Sequence, residues 1–331
     1  MTINILVTGA NGFVGSRLMA VDLPHNASIR LRGALRSGKT SSNKLVNTVC
    51  IDAIGPTTSW TEALMGMNVV VHLAARVHIL DEGSADAISE YRFVNVQGTL
   101  NLARQAAAAG VRRFIFLSSI KVNGEATFAG QAFSEDSLPN PSDPYGISKH
   151  EAEEGLKALC EQTGMEYVII RPPLIYGPGV KANYQNLIQL VKRGIPIPLG
   201  SVSNKRSMLA LDNLINFIIL VADDPRAANQ TFLLSDGQDL SSAELVMKIA
   251  RALRLAPRLW SMPKCLLHML GFAAGRRSVV QRLCGSLQID SSKARKLLNW
   301  TPPIGVDEGI LRAVAPMLTR SKRANHDKAC P

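Results

Sequence analysis

Short apolar runs rich in β-branched and aromatic residues recur through the first half of the chain, at Ile3–Thr8, Ile29–Leu35, Val69–Leu73, Phe114–Leu117 and Tyr167–Arg171. Each has the length and side-chain type of a strand in a parallel sheet. Between them lie stretches of helical periodicity or composition, such as Gly98–Ala109 and His150–Glu161. Strands and helices alternating in this way predict an α/β fold, a parallel sheet covered by helices on both faces. From about Gly177 the rhythm loosens: Gly177-Pro178-Gly179 and the segment Gly194–Gly200, with Pro196 and Pro198, are turn-rich and separate short elements that need not join the main sheet. The expected organisation is a large portion at 1–176 and a smaller α/β portion at 177–319, with a later segment, about 205–235, returning to the first sheet. The polar, basic stretch 320–331 is expected to be disordered.

The first strand breaks into Thr8-Gly9-Ala10-Asn11-Gly12-Phe13-Val14-Gly15 and passes at once into a helical pattern. Glycines three apart at this place have separate tasks: Gly9 permits the turn, Gly12 lets the backbone approach a pyrophosphate, and Gly15 allows helix and strand to pack closely. The stretch Gly9 to Gly15 therefore predicts a phosphate cradle for a dinucleotide. The sheet is then expected to be doubly wound and Rossmann-like.

Two further segments carry chemistry. Tyr145 and Lys149 are four apart where Pro144 opens a helix-compatible run, so both side chains project from one helix face about a turn apart. A nearby ammonium group and an oxidised nicotinamide ring both favour phenolate over phenol, lower the tyrosine pKa towards the working range and make the pair an acid/base device. Tyr-x-x-x-Lys is also an ordinary helix surface pair, but downstream of a dinucleotide turn the chemical reading is preferred. Ser118-Ser119 closes the strand Phe114–Leu117 and places a hydroxyl at a carboxyl strand end, where ligands of such sheets bind.

The end of the second strand bears on the cofactor. Where an NAD-preferring fold sets an acidic residue, this chain has Arg36, followed by Ser37 and Lys39. A guanidinium there, helped by Ser37 or Lys39, suits a 2′-phosphate and favours NADP(H); the alternative is NAD(H), with Arg36 an exposed loop residue.

These side-chain types resemble the short-chain dehydrogenase/reductase superfamily, and the pattern is similar to its extended branch, the NAD-dependent epimerase/dehydratase family acting on sugar nucleotides. The resemblance runs from Ile3 to about Gly309. It includes Val71-His72-Leu73-Ala74-Ala75, Asn95-Val96-Gln97-Gly98-Thr99, Arg171-Pro172-Pro173 with Tyr176-Gly177-Pro178-Gly179, and Asp290-Ser291-Ser292-Lys293-Ala294-Arg295. It implies that Ser119, rather than Ser118, joins Tyr145 and Lys149 as catalytic hydroxyl, and that Lys149 also binds the nicotinamide ribose. It places Asp52 and Ala53 by the adenine, and adds Leu73, Ala74, Ala75, Asn95 and Pro172 to the cofactor contacts. It also implies a homodimer.

Departures from the family pattern narrow the reaction. Dehydratases of the family carry an Asp-Glu pair directly after the catalytic hydroxyl residue, and this chain has Ile120 and Lys121 there. Asn123 stands where many epimerases have tyrosine. The wording Ser119-Ile120-Lys121-Val122-Asn123-Gly124, with Asn204-Lys205-Arg206-Ser207, resembles bacterial UDP-4-keto-6-deoxy-N-acetylhexosamine 4-reductases of surface-polysaccharide pathways. On that resemblance Ser119, Lys121, Asn183, Arg206 and Arg276 would contact the UDP-sugar. The function expected first is C4 ketone reduction. The alternative is a UDP-hexose or UDP-N-acetylhexosamine 4-epimerase that retains NAD, and a reading of another class is a non-catalytic NADP(H) sensor.

Composition limits the partners. With 331 residues and 46% hydrophobic content the chain can fill a sizeable core. Its strand pattern begins by Ile3 and no apolar run reaches membrane-spanning length, so a cytoplasmic location is expected. Five scattered cysteines lack the spacing of a disulfide framework or zinc site, the histidines show no ligand spacing, and no metal is expected. His72, inside an apolar strand, reads as a packed residue. The net charge of +11 is partly explained by residues 251–289, which hold Arg251, Arg254, Arg258, Lys264, Arg276, Arg277 and Arg282 without one acidic residue. Besides a solvated surface, this basicity suits phosphorylated substrate or weak peripheral contact with an anionic membrane around Leu266–Phe272. Nucleic acid is not expected, because aromatics make up only 5% of the chain and no binding motif is present.

Overall fold

The computed structural model describes residues 2–21, 28–36, 47–77, 87–128 and 130–326. Nine strands are defined among them: β1 Ile3–Thr8, β2 Ile29–Arg36, β3 Thr48–Ile51, β4 Val69–His72, β5 Arg113–Leu117, β6 Glu166–Arg171, β7 Leu174–Tyr176, β8 Met208–Ala210 and β9 Gln230–Leu233. Seven of them form one parallel sheet in the order β3-β2-β1-β4-β5-β6-β9, while β7 and β8 pair separately. The order reverses between β1 and β4, where Thr8 stands beside His72 in register. Crevices at such a switch point are where doubly wound sheets bind ligands.

Alternation along the strands serves two apolar layers. Ile5, Val7, Val69, Val71, Ile115, Val168 and Ile170 face Leu214, Phe217, Ile218 and Val221 of the helix Leu211–Asp223. The other face, with Leu6, Val70, Phe114, Phe116 and Ile169, packs on Leu102, Ala103 and Ala106 of the helix Thr99–Ala108 and on Ala152 and Leu156 of the helix Pro144–Thr163. A separate cluster holds the C-terminal portion together, Tyr176, Tyr184 and Ile188 packing with Ile249, Val306 and Ile310.

Two strands of the main sheet escape the apolar-run pattern. In β3 only Val49 and Ile51 are buried, and in β9 only Phe232 and Leu233, so neither forms the continuous apolar run that marks the central strands. Through β9 and the helix Leu211–Asp223 the chain returns to the first sheet from its later half. The basic end differs from expectation. The last helix, Val306–His326, runs past Arg320 into the stretch expected to be disordered. Its Arg, Lys and Ala residues are good helix formers, so a polar composition alone did not mark a helix end. Residues 327–331 lie outside the described residues, as do Ser37 and Lys39.

Candidate active site

The glycine turn has the geometry its spacing requires. Gly9 has φ +67°, and a Cβ there would come within 2.9 Å of the Ala74 backbone nitrogen. A Cβ on Gly15 would lie 2.1 Å from the Gly9 carbonyl oxygen, so only glycine lets this helix sit against the turn. The Gly12 N–H donates to the Gly9 carbonyl at 2.8 Å, and Gly12 begins the helix Phe13–Met19 with no side chain capping it. Among the described residues no acceptor is paired with the first-turn N–H groups of Phe13 and Val14, which are donors suited to a pyrophosphate. This donor set and the tight glycine packing fit a dinucleotide. Around it, the stretch Leu73–Ala75 is anchored where Thr8 Oγ1 accepts the Ala74 N–H at 3.3 Å. Arg36 is exposed at the end of β2 and pairs in register with Ile51, which sets it beside Asp52 and Ala53 at the carboxyl end of β3.

His72 is a structural bridge. Its Nδ1 lies 2.7 Å from Thr8 Oγ1 and its Nε2 3.0 Å from Thr99 Oγ1, tying β1 and β4 to the helix below. Burial, aided by the Lys149 charge, lowers its pKa to about 3 and keeps the ring neutral.

The helix Pro144–Thr163 begins with Asp143, whose Oδ1 accepts the Gly146 N–H at 2.6 Å, and with Pro144 in its first turn. This start fixes where Tyr145 and Lys149 emerge. Lys149 is buried; its Nζ donates to the Leu117 carbonyl at 2.8 Å, sits 4.3 Å from the Phe116 ring centre and 6.0 Å from that of Tyr145. Tyr145 meets Tyr91 edge-on with ring centres 6.1 Å apart. A Cβ on Gly146 would stand 2.9 Å from the Lys121 carbonyl, so the segment after Ser119 lies directly against the start of this helix.

The electrostatics of the chain itself run against the lowered tyrosine pKa expected with lysine and nicotinamide acting together. Burial, then the Asp143 carboxylate and Tyr91, push the Tyr145 phenol above its usual range. Burial brings Lys149 down to about 7, opposed by Glu153. Near neutrality the phenol therefore carries its proton, and Lys149 sits close to its own titration point.

The two serines part ways. The Ser118 hydroxyl donates to Glu153 and is buried, whereas Ser119 is half-buried in extended backbone, its Oγ accepting the Lys121 N–H at 3.2 Å. Only Ser119 keeps a hydroxyl outside the protein core at this strand end.

Beneath the site lies a polar network centred on Glu153, a residue absent from the expected site. Glu153, one turn beyond Lys149, accepts from Arg171 through Nε at 3.0 Å and through Nη2 at 2.5 Å. Arg171 also donates to Asn123 Oδ1 at 3.1 Å, and Asn123 holds the carbonyls of Ser134 and Ser137 at 3.4 and 3.3 Å. The visible signal was a carboxylate between Ala152 and Leu156 on an otherwise apolar helix face. Pro172 takes part too, its carbonyl accepting the Ile120 N–H at 3.0 Å.

Other expected contacts are also engaged within the chain. Asn95 is buried in the π-helical turn Arg92–Gly98; its amide accepts from the Arg76 N–H at 2.8 Å and donates to Ser148 Oγ at 3.0 Å, so it positions protein segments. Lys121, expected at the substrate, ion-pairs with Asp143 and, at 3.4 Å, with Glu125, because it emerges beside the acidic cap of the Tyr145 helix. Arg206 is half-buried and donates to the carbonyls of Arg282 at 2.9 Å and Gly285 at 3.2 Å. It bridges Leu287, and the strip around Leu287 also pairs with Thr127 and Phe133 of the loop after Ser119. Asn183 and Arg276 stand exposed on other helices; among the described residues no hydrogen bond or ion pair joins either side chain to this group.

A parallel sheet with a glycine turn at its switch point and a tyrosine-lysine pair by the neighbouring strand end defines a Rossmann-fold enzyme of the extended short-chain dehydrogenase/reductase class. The chain belongs to the NAD dependent epimerase/dehydratase family, whose profile matches residues 5–234. It is 42% identical over 321 residues, 97% of each chain, to a UDP-glucose 4-epimerase of Vibrio cholerae. That relative is named for epimerisation, and so favours the second of the expected activities over ketone reduction. Its fold is also that of a UDP-glucuronic acid 4-epimerase from Bacillus cereus in complex with NAD, at 21% identity, 94% of each chain and a TM-score of 0.74. RMD from Pseudomonas aeruginosa complexed with NADPH matches at 19% identity, 95% of this chain, 99% of that chain and a TM-score of 0.72. The family thus supports a nicotinamide cofactor without deciding between its two forms.

Proposed function

We propose that this enzyme interconverts the C4 epimers of a UDP-hexose or UDP-N-acetylhexosamine and retains its nicotinamide cofactor through the cycle. The observation that carries this reading is the 42% identity to the Vibrio cholerae UDP-glucose 4-epimerase along 97% of both chains. The site chemistry agrees, since Ile120 and Lys121 occupy the places where elimination of water needs carboxylates.

The residues to hold the cofactor are the Gly9–Gly15 turn at the pyrophosphate, Asp52 and Ala53 at the adenine, Leu73–Ala75 along the backbone and Lys149 at the nicotinamide ribose. When bound, the nicotinamide supplies a reversible hydride acceptor. Tyr145 exchanges a proton with the C4 oxygen, and Ser119 hydrogen-bonds the same oxygen and fixes its place. Lys149, when protonated, contributes a positive charge that favours phenolate, against the burial and the Asp143 carboxylate that hold the Tyr145 proton in place. Arg206 offers its guanidinium to the diphosphate.

Ketone reduction with NADPH stays as a second reading because of Arg36, an exposed cation at the end of β2 where an acidic residue would mark NAD. One experiment separates the two. Nucleotide-stripped protein is given UDP-glucose or UDP-N-acetylglucosamine with catalytic NAD, and in parallel a UDP-4-keto-6-deoxy-N-acetylhexosamine with NADPH. Formation of the C4 epimer without net cofactor consumption supports the proposal. Stoichiometric NADPH oxidation by the ketosugar, with no epimer in the first arm, overturns it.

A further inference from the structure

The helix Lys264–Ala273 turns at Gly275, φ +65°, into the helix Arg277–Cys284, making a hairpin on the C-terminal portion. The two helices approach where a Cβ on Gly271 would lie 2.4 Å from Val280 Cγ2. The first helix buries only Leu267 and Gly271, one turn apart. Its outward side is apolar: Met269 is 65% exposed, Leu270 51% and Phe272 72%, with Leu266 also exposed. Trp260, 48% exposed, and Leu255 are further exposed apolar side chains in the preceding segment, as is Val279 on the second helix. A helix that serves only a protein core turns its apolar stripe inward.

The charge around this patch points to its occupant. From residue 251 to 289 the chain has no acidic residue, and Lys264, Arg276 and Arg277 are exposed at the ends of the two helices. An isologous contact between two copies would bring these uncompensated cations together. Outward Leu, Met and Phe side chains flanked by cations, with an exposed tryptophan four residues before the first helix, match the interface of an anionic bilayer. No helix among the described residues is long and apolar enough to cross a membrane, so the contact is peripheral.

We propose that the hairpin Lys264–Cys284 docks this enzyme on anionic lipid bilayers, with Leu266, Met269, Leu270 and Phe272 entering the interfacial region and Lys264, Arg276 and Arg277 meeting lipid phosphates. The full chain is sedimented with vesicles of phosphatidylglycerol and phosphatidylcholine, and with phosphatidylcholine alone, at low and high salt. Binding to the anionic vesicles only, weakened at high salt, is the expected result. M269E/F272E should lose at least about ten-fold in partitioning, and Lys264→Glu or Arg277→Glu about five-fold or more for each altered charge. Thermal midpoints should stay unchanged, since these side chains are exposed. Trp60 and Trp300 are buried, so a vesicle-induced blue shift of fluorescence reports Trp260. Absence of sedimentation at low salt, equal binding to both vesicle types, or wild-type binding by M269E/F272E overturns the proposal. So does a self-association that this variant abolishes in the absence of vesicle binding, which would assign the patch to a second copy.

Discussion

Replacing Glu153 with alanine tests the polar network under the site. The carboxylate is fully buried and holds both the Arg171 guanidinium and the Ser118 hydroxyl, so the substitution leaves a buried cation without its counter-charge. Breaking a buried pair from one side costs about 3–5 kcal/mol. With an unfolding entropy near 2.1 cal/mol/K per residue, a chain of this length has roughly 0.7 kcal/mol/K at its midpoint, so a cost of about 4 kcal/mol lowers the melting temperature by about 6 °C. The double variant E153L/R171M, which replaces both charges with apolar groups, should recover most of that loss. Glu153→Gln keeps the side-chain volume and hydrogen-bonding atoms while removing the charge, and so tests the chemistry. Glu153 raises the Lys149 pKa, so removing its charge moves Lys149 further below about 7, and the loss of activity on raising the pH should begin at lower pH than in the wild type. Differential scanning calorimetry and a pH profile of turnover read the two effects. A Glu153→Ala midpoint within about 1 °C of wild type, or a pH limb that Glu153→Gln leaves unmoved, would refute the reasoning.

Tyr145→Phe should remove most turnover while nearly preserving cofactor affinity, measured by steady-state kinetics and by nucleotide fluorescence titration; a fully active variant contradicts the assigned proton transfer. Gly15→Ala places a methyl 2.1 Å from the Gly9 carbonyl and should destabilise the fold as well as abolish cofactor binding, whereas Gly12→Ala, whose nearest atom is 3.1 Å away, should mainly weaken the cofactor. For His72 the folded pKa of about 3 lies below the ordinary 6.5, so the unfolded chain binds the extra proton between those values. Stability is then lost as pH falls from about 6.5 towards 3, and His72→Gln should flatten that part of the denaturation profile. Arg36→Glu should lower the affinity for NADPH relative to NADH, and an unchanged ratio would remove Arg36 from 2′-phosphate recognition.

Much of the framework was legible because single residue types carry it. The glycine spacing at Gly9, Gly12 and Gly15 and the four-residue step from Tyr145 to Lys149 require particular backbone geometry, and the glycine turn follows a strand end directly in chain order. The central strands announced themselves as continuous apolar runs, whereas β3 and β9, each with only two buried residues, did not. Partnerships were harder to read. Nothing in the order of residues says that Ser118 turns inward to Glu153 while Ser119 stays at the surface, or that Lys121 spends its charge on Asp143. These pairings come from elements far apart in the chain. The rise in the Tyr145 pKa has the same origin, because it comes from burial by the assembled site together with Asp143 and Tyr91.

The return of β9 to the sheet has a consequence for how the chain is made. During synthesis β6 emerges about sixty residues before its outer neighbour, Val168 preceding its register partner Gln230 by 62 positions. Until then Val168, Ile169 and Ile170 line an open edge, able to pair with any passing strand. The nascent nucleotide-binding half is therefore an unfinished product, exposed to aggregation in the interval and a natural client for chaperones. A fragment cut at residue 176 would keep that open edge permanently, and a chimera joined there depends on the incoming half for the strand that closes it.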